Sequence, residues 1–376
     1  MNKAEQFISE KLLNRTEKGS LRKLSTKIFS VDFCSNDYLS FARSSELKSA
    51  TNDLLLRIPQ YQNGSAGSRL LSGNHSFTEE TEAFIADFHH AESGLIFNSG
   101  YDANVGLISS LAQRGDTIIS DELIHASLID GARLTHANRY SFKHNNLEDL
   151  EAKLKVSKGN IYVVIESVYS MDGDIALLSE INTLCERYEA NLIVDEAHAL
   201  GIFGNHGRGL VQEAGLEHKV FARIVTFGKA LGCHGAIVLG STALRNYLIN
   251  FARSFIYSTA APIHAIAAVK AAYEMLIETD YQPLIAEKIA LYRAYVPGIE
   301  GIVPSPSTIQ TIIYNSNQKA KFAAETLQNK GIDVRAILSP TVPEGKERLR
   351  ICLHLFNTDE EIKMLVEELK LLKEHE

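Results

Sequence analysis

Residues 191–198 read Asn-Leu-Ile-Val-Asp-Glu-Ala-His, a short apolar run followed at once by two carboxylates and a histidine. Such a run of apolar and β-branched residues is typical of a strand that is buried on both faces of a sheet. In an open parallel sheet, ligands bind beyond the carboxyl ends of the strands. Asp195 and His198 directly follow this run, so the sequence predicts that they lie in a binding site.

Five similar runs and several amphipathic stretches surround this segment. The six predicted strands are 94–97, 117–120, 161–166, 191–195, 223–226 and 236–239. The stretches that repeat apolar side chains at helical spacing include 78–90, 147–156 and 180–189. Strands that alternate with helices in this way indicate an α/β fold, in which a mainly parallel sheet is covered by helices on both faces.

The pattern changes in the last third of the chain. A long helical region over about 261–293 is followed by a strand, a helix, two strands and a helix, at 308–314, 319–330, 333–337, 348–353 and 359–372. This order is typical of a smaller α+β domain. We therefore expect an N-terminal arm over residues 1–45, a large domain over 46–284 and a small C-terminal domain over 285–376.

The composition excludes several classes of function. The net charge of −8 gives no basic patch for nucleic acid. The four cysteines form no C-x-x-C pair, which favours a reducing compartment over a disulfide framework. The N-terminus lacks the apolar core of a signal peptide, and charged residues interrupt the most apolar helical stretch at 260–277. We expect a soluble cytoplasmic protein that does not span a membrane.

A second strand end carries a lysine among small residues. Lys229 lies in Thr-Phe-Gly-Lys-Ala-Leu-Gly, directly after the predicted strand at 223–226. A lysine in this setting can form a Schiff base with an aldehyde cofactor such as pyridoxal 5'-phosphate, and the glycines let the cofactor approach the backbone. The sequence therefore predicts a cofactor site at the same sheet edge as Asp195.

Other strand ends provide what this cofactor requires besides a lysine. It needs a carboxylate opposite its ring nitrogen, a flat ring against its own ring, and donors for its phosphate. Asp195 suits the first requirement and His125 the second. Gly100 and Tyr101, at a strand-to-helix turn, can donate to the phosphate together with Thr226.

Each of these residues also has a simpler interpretation when it is taken alone. Lys229 could be a solvated loop residue, His125 a capping or core histidine, and Asp195 a helix N-cap. Arg350 could be a charge on an edge strand, where it would blunt pairing. Residues 64–69 could form a flexible loop. The ordered occurrence of the polar residues at successive strand ends favours the cofactor site.

Two other kinds of site are disfavoured by missing sequence features. Residues 194–198 spell the acidic box of a helicase-type ATPase, but the required phosphate loop G-x-x-x-x-G-K-[ST] is absent, and Lys229 is followed by alanine. No histidine or cysteine spacing suits zinc, so we expect no metal. His89 and His90 fall on an amphipathic helix, where we expect them at the surface.

The motifs, in their order along the chain, resemble those of the α-oxoamine synthases, which are fold-type I pyridoxal-phosphate enzymes. The resemblance extends from about Asn36 to Arg350. The segments that carry it are Asn36-Asp-Tyr-Leu, Gly64-Ser-Ala-Gly-Ser-Arg-Leu-Leu-Ser-Gly73, Phe97-Asn-Ser-Gly-Tyr-Asp-Ala-Asn104, Asp121-x-x-x-His-Ala-Ser127, Glu166-Ser-Val-Tyr-Ser-Met-Asp-Gly-Asp174, Asp195-Glu-Ala-His198, Thr226-Phe-Gly-Lys-Ala-Leu-Gly232 and Arg348-Leu-Arg-Ile351. The implied fold is a large domain with a mostly parallel sheet and a smaller C-terminal α+β domain.

The resemblance implies a role for each matching residue around the cofactor. Lys229 would form the Schiff base and later remove the α-proton of the bound amino acid. Asp195 would keep the ring nitrogen protonated, and His125 would stack on the ring. His198 and Ser170 would bind the phenolic oxygen. The implied phosphate-binding residues are Gly100, Tyr101 and Thr226, with Ser258 and Thr259 reaching the neighbouring subunit of a homodimer.

The resemblance also implies substrates. The family joins an amino acid to an acyl thioester with loss of CO₂. Arg350 would bind the amino-acid carboxylate, Asn36 would lie near the substrate, and Arg22 would meet the acyl substrate. The loop at 64–73 is most similar to members that join L-alanine to a pimeloyl thioester, while glycine-using and serine-using members remain alternatives. Cys233-His234 and residues 353–356 depart from the family pattern and could alter substrate choice.

Overall fold

The computed structural model describes residues 2–59 and 61–374, which form two compact units. The large unit comprises Asn36–Ser170 and Asp174–Ala286. The small unit comprises the chain up to Ser35, the short segment Met171–Gly173, and the chain from Glu287 onward. The predicted division into an N-terminal arm (1–45), a large domain (46–284) and a small C-terminal domain (285–376) stays a prediction. The second predicted boundary lies next to the division at residue 286, and residues 36–45 fall in the large unit.

The elements are numbered here in chain order. The strands are β1 Val31–Asp32, β2 Ser93–Phe97, β3 Thr117–Asp121, β4 Asn138–Phe142, β5 Ile161–Glu166, β6 Asn191–Asp195, β7 Ala222–Thr226, β8 Ala236–Gly240, β9 Ile302–Val303, β10 Ile309–Ile313, β11 Ile332–Asp333, β12 Arg335–Ile337 and β13 Arg348–Cys352. The helices are α1 Lys3–Glu17, α2 Ser45–Leu56, α3 Ser76–Phe88, α4 Gly100–Leu111, α5 Ala126–Arg133, α6 Leu147–Val156, α7 Leu178–Arg187, α8 Leu210–Glu213, α9 Thr242–Phe251, α10 Arg253–Ile256, α11 Ile263–Glu278, α12 Gln282–Tyr295, α13 Asn317–Asn329 and α14 Asp359–Glu374.

A seven-stranded sheet forms the centre of the large unit, in the order β2-β8-β7-β6-β5-β3-β4. The strands from β7 to β4 run parallel, and β8 is antiparallel to both of its neighbours. Alternate residues of one strand enter different apolar cores: Val164 packs with α4 and α5, and Val163 packs with α6 and α7. Because successive side chains of a strand point to opposite faces, helices cover both faces. The predicted α/β fold is confirmed.

One strand of this sheet was not predicted. β4 pairs in parallel with β3, Thr117 lying opposite Asn138, and it closes one edge of the sheet. Its sequence is Asn-Arg-Tyr-Ser-Phe, and only Phe142 is buried. An edge strand with a solvated face has no continuous apolar run, so the apolar pattern that identified the inner strands does not detect it.

The small unit contains an antiparallel sheet in the order β12-β13-β10-β9 and a separate parallel pair of β1 with β11. Arg350 lies on β13, opposite Thr311 on one side and Arg335 on the other. The interpretation of Arg350 as an edge-strand charge is therefore wrong, because β13 is an inner strand of its sheet. The predicted order of strand, helix, strands and terminal helix is confirmed in this part of the chain.

The expectation that His89 lies at the surface is also wrong. α3 ends at Phe88, and His89 turns inward as its C-cap with no exposed area. Its Nε2 lies 3.0 Å from the Tyr273 hydroxyl, and Arg223 lies 3.2 Å from its Nδ1. Burial, reinforced by the Arg223 charge, lowers the pKa of His89 well below the usual value. His89 is therefore a neutral core residue.

In residues 2–59 and 61–374, no helix combines the length and the apolarity that crossing a membrane requires. Over the same ranges, no cluster of three or more histidine, cysteine or acidic side chains could hold a metal ion.

Candidate active site

Lys229 contacts a line of side chains in the large unit. It follows β7, and its Nζ lies 2.6 Å from Nε2 of His198, which follows β6. The other ring nitrogen of His198, Nδ1, lies 2.8 Å from the hydroxyl of Tyr38. That hydroxyl donates to Oδ1 of Asn36 at 3.0 Å. The structure thus brings together three residues that the sequence singled out, and adds Tyr38.

Asp195 is the last residue of β6 and is buried, with 4% of its surface exposed. The side-chain amide of Asn104 donates to its Oδ2 at 2.8 Å, and the backbone N–H of Ala197 donates to its Oδ1 at 2.9 Å. The same amide nitrogen lies 2.9 Å from Ser127 Oγ. These bonds fix the carboxylate, and its remaining lone pairs can accept a further donor.

His125 caps the N-terminus of α5. Its Nδ1 accepts the backbone N–H of Ser127 at 3.2 Å and lies 2.7 Å from Ser127 Oγ. Partial burial lowers the pKa of His125; the charge of Asp195 opposes this effect and that of Lys229 adds to it. The hydrogen bond from the Ser127 N–H confirms the interpretation of His125 as a helix-capping residue. A neutral ring that is held at Nδ1 and exposed elsewhere is still available to stack on a flat ligand.

Glu166 is a buried carboxylate of this site that was not among the predicted site residues. It ends β5 directly opposite Asp195 in the strand register. Burial, together with the Asp195 charge, raises the pKa of Glu166 to about 8. Its Oε1 has no hydrogen-bond partner within the described part of the chain. The available signal was a glutamate at the end of an otherwise apolar strand, where an acidic group must lie in the core or at its edge.

Gly100 and Thr226 lie together beside the first turn of α4. A Cβ added to Gly100 would lie 3.5 Å from Thr226 Oγ1, so the hydroxyl lies close to this helix end. Ser99 caps the helix by accepting the N–H of Asp102 at 3.0 Å. Backbone N–H groups at a helix N-terminus, with the helix dipole, favour an anion such as phosphate. The half-exposed Tyr101 donates to Asp130 at 2.8 Å.

The contacts given for the other predicted site residues do not include Lys229, Asp195 or His125. Asn98 donates to the carbonyl of Thr259 at 2.8 Å, and the neighbouring Ser258 is half-buried. Ser170 is buried in the segment after β5. Two predicted substrate residues belong to the small unit: Arg350 lies on β13, and Arg22 donates to Thr341 Oγ1 at 3.2 Å.

The loop at 64–73 is held by ion pairs and hydrogen bonds. Arg69 contacts the buried Glu82 through both Nη atoms, and Arg245 approaches the same carboxylate at 3.1 Å. The carbonyl of Gly67 accepts the N–H of Ala260 at 2.9 Å. The flexible-loop interpretation does not account for these contacts. The adjacent Leu70 is half exposed.

A cluster of charged side chains surrounds His144, also at the carboxyl ends of the parallel strands. Its Nδ1 lies 3.0 Å from Asp121, at the end of β3, and its Nε2 lies 2.6 Å from Asp174. The ring packs edge-on against Tyr169 at 4.4 Å between centroids. Partial burial opposes a charge on His144, but the bonds to Asp121 and Asp174 outweigh it and raise the pKa to about 10. His144 is therefore a cation at neutral pH.

Replacing His144 with glutamine is expected to lower the free energy of unfolding by about 2–3 kcal/mol at pH 6, because two carboxylates then lack their cation. A raised pKa means that the stabilisation is complete below the unfolded value of about 6.5 and is lost as pH rises through about 10. The difference between the two proteins, measured by urea unfolding, should therefore shrink from pH 6 to pH 10.

The matched control is His90→Gln, because His90 is a half-exposed histidine 3.7 Å from Glu217. We expect this variant to change the free energy of unfolding by less than about 0.5 kcal/mol. A loss for His144→Gln that is equal at pH 6 and pH 10 would contradict the ion-pair account.

The donor set of the site fits pyridoxal phosphate. It offers a lysine amine, a fixed carboxylate, a neutral imidazole ring and a helix N-terminus with an adjacent hydroxyl. The first could bond to the aldehyde, the second could hold a proton on the ring nitrogen, and the last could bind the phosphate. Asp195, a buried carboxylate that keeps lone pairs for one more donor, is the feature that most narrows the choice of ligand.

Comparisons with known proteins agree with this interpretation. The aminotransferase class I and II family model matches residues 30–369. An 8-amino-7-oxononanoate synthase from Emericella nidulans is 43% identical over 385 residues, which cover 96% of this chain and 93% of the relative. A protein of the same name from Marinobacter nauticus is 40% identical over 341 residues, covering 89% and 85%.

Solved structures show the same fold. Serine palmitoyltransferase from Sphingomonas wittichii matches with a TM-score of 0.89 at 27% identity, over 100% of this chain and 98% of that one. 8-Amino-7-oxononanoate synthase from Francisella tularensis matches with a TM-score of 0.79 at 28% identity, over 92% and 98%. The fold and the site define a fold-type I transferase whose cofactor is pyridoxal phosphate. The chain belongs to the aminotransferase class I and II family, in which its curated relatives are named 8-amino-7-oxononanoate synthases.

Proposed function

We propose that this enzyme condenses L-alanine with a pimeloyl thioester to give 8-amino-7-oxononanoate, CO₂ and the free thiol, as a step of biotin biosynthesis. The observation that carries the proposal is the contact of Lys229 with His198 beside the fixed Asp195 carboxylate. It occurs in a chain whose curated relatives carry this activity in their names at about 40% identity.

The residues around Lys229 are proposed to act as follows. Bound pyridoxal phosphate supplies an electron sink that stabilises negative charge on the amino-acid α-carbon. Lys229 holds the cofactor and takes the α-proton at its Nζ. Asp195 keeps a proton on the ring nitrogen, because a buried carboxylate is stabilised by a charged donor. His125 stacks on the ring, and His198 and Ser170 bind its phenolic oxygen.

The phosphate and the substrates are assigned to further residues. Gly100, Tyr101 and Thr226 are proposed to bind the phosphate, with Ser258 and Thr259 contributing to the phosphate of a second subunit. Arg350 is proposed to bind the amino-acid carboxylate, since a guanidinium can donate to both carboxylate oxygens. Asn36 and Arg22 are proposed to contact the substrates.

We further propose a homodimer. α1 has no buried residue, and it exposes Phe7, Ile8, Leu12 and Leu13, which is unusual unless another chain covers them. Light scattering should therefore give twice the chain mass of 41.6 kDa, and an active monomer at assay concentration would contradict the dimer. A cytoplasmic location is proposed because no disulfide joins the four cysteines, as in a reducing compartment.

A serine-using condensation is the second candidate, favoured by the likeness to serine palmitoyltransferase. The test is to combine alanine, glycine or serine with a pimeloyl or a palmitoyl thioester and to measure thiol release and the mass of the product. We expect turnover with alanine and the pimeloyl thioester, and each amino acid without thioester is the control. Turnover with glycine or with serine and no turnover with alanine would reject the proposal.

A further inference from the structure

The line of side chains from Lys229 to Asn36 determines where the proton of His198 lies. The Tyr38 hydroxyl has one hydrogen, and it donates that hydrogen to Asn36 Oδ1, an atom that can only accept. The 2.8 Å contact between Tyr38 and His198 Nδ1 therefore needs its hydrogen from His198. His198 thus carries its proton on Nδ1, and Nε2 is the bare nitrogen.

This tautomer matches the neighbour on the other side of the ring. A bare Nε2 accepts a hydrogen from the Lys229 ammonium at 2.6 Å, whereas a protonated Nε2 would place two donors against each other. Tyr38 has no exposed area and His198 has 4%, so solvent is poorly placed to substitute for either partner. Asn36, although distant along the chain from His198, is therefore linked to the proton acceptor that faces Lys229.

We propose that Tyr38 is a positioning residue, which holds His198 in the Nδ1–H tautomer so that its Nε2 can take a proton from Lys229. In that transfer one N–H bond of the Lys229 ammonium breaks and an N–H bond forms at Nε2. A neutral amine and an imidazolium result, and the Tyr38 oxygen continues to accept the Nδ1–H. Only the neutral amine has the lone pair with which to attack an aldehyde.

The inference rests on the proposed role of Lys229 as the cofactor lysine, but it makes a separate prediction about His198. The Nδ1–H form of a histidine is set by the bond that the ring makes with its surroundings. Removing the Tyr38 oxygen removes the acceptor of that hydrogen. Tyr38→Phe should therefore raise the population of the Nε2–H form, and the uptake of cofactor by the chain should become slower.

The test uses the full-length chain, freed of cofactor and labelled with ¹⁵N at histidine, with the His198 signals identified by their loss in His198→Gln. We expect the Nδ1–H tautomer to predominate in the unsubstituted chain and the Nε2–H form to increase in Tyr38→Phe. Asn36→Asp, which keeps an acceptor for Tyr38, should retain the original tautomer. The rate of pyridoxal phosphate uptake, followed by absorbance, should fall about 10- to 100-fold in Tyr38→Phe.

Tyr292→Phe is the matched control, because it also removes a buried tyrosine hydroxyl, in this case from the small unit. It should leave both the tautomer and the rate of uptake unchanged, and circular dichroism will establish that each variant is folded. An Nε2–H tautomer in the unsubstituted chain, or an unchanged tautomer in Tyr38→Phe, would overturn the inference. Neither result would affect the proposed reaction, which is tested separately by the amino-acid and thioester screen.

Discussion

Replacing Lys229 with alanine is expected to reduce kcat by at least about 10⁴-fold. The variant loses both the amine that bonds to the cofactor and the base that takes the α-proton. Borohydride treatment should fix the cofactor to the original chain and should not fix it to the variant. The free energy of unfolding should change little, because Lys229 is only half-buried and lies in a turn after β7.

The control for this prediction is Lys219→Ala. Lys219 is a half-exposed lysine of the large unit whose side chain pairs with the exposed Glu186 at 3.1 Å. Exposed pairs of this kind contribute little, so we expect the control to keep full activity and the borohydride-fixed cofactor. Turnover by Lys229→Ala within tenfold of the original enzyme would show that another group holds the cofactor or takes the proton.

The strands of the central sheet could be predicted because they are buried on both faces. Residues 161–166 and 191–195 are apolar almost throughout, and they form β5 and β6 with the bounds that the pattern indicated. The same reasoning fails where burial is one-sided. β4 is polar because it lies at the sheet edge. The two-residue strand β1 pairs with β11, which is about 300 positions away in sequence, so no local pattern marks it.

The part of the candidate site that could be predicted consists of residues at the ends of strands or shortly after them. Asp195 ends β6, and His198 and Lys229 follow β6 and β7 within a few residues, so the parallel topology alone brings them to the carboxyl ends of two neighbouring strands. Tyr38 has no such signal, because it lies in an irregular segment and meets His198 only through the fold. Glu166 also ends a strand, but the local pattern does not distinguish a buried carboxylate at that position from an exposed one; its burial opposite Asp195 comes from the pairing of β5 with β6.

The errors at His89 and Arg350 have a common physical cause. Both are polar residues in amphipathic or alternating patterns, where the default is a solvated face. His89 is buried because Arg223 and Tyr273 satisfy its ring nitrogens. Arg350 lies on an inner strand because β9 and β12 occupy the edges of that sheet. In neither case does the local pattern contain the deciding partners, because Arg223 and Tyr273 lie far from His89 in sequence and the pairing of β13 is set by the fold.

Asp195→Asn is expected to reduce kcat by about 10²- to 10³-fold, the loss typical of removing one preorganised electrostatic partner. Asparagine has nearly the shape of aspartate but no negative charge to keep a proton on the ring nitrogen of the cofactor. The local structure can tolerate the change. The new amide can still accept the Ala197 N–H, and Asn104 can turn its Oδ1, which has no partner among the described residues, toward the new N–H group.

We therefore expect the free energy of unfolding of the cofactor-free Asp195→Asn chain, measured in urea, to change by less than about 1 kcal/mol. Asp116→Asn is the matched control, since Asp116 is also a buried aspartate that accepts backbone N–H groups, from Gln113 and Asn160 at 2.8 and 2.9 Å. Asp116 lies at the amino end of β3, whereas Asp195 lies at the carboxyl end of β6. The Asp116→Asn variant should therefore keep kcat within about twofold even if its stability falls. The electrostatic role of Asp195 would be refuted if Asp195→Asn kept kcat within tenfold of the original enzyme, or if both variants lost activity equally. Only that role predicts a large loss of kcat without a matching loss of stability.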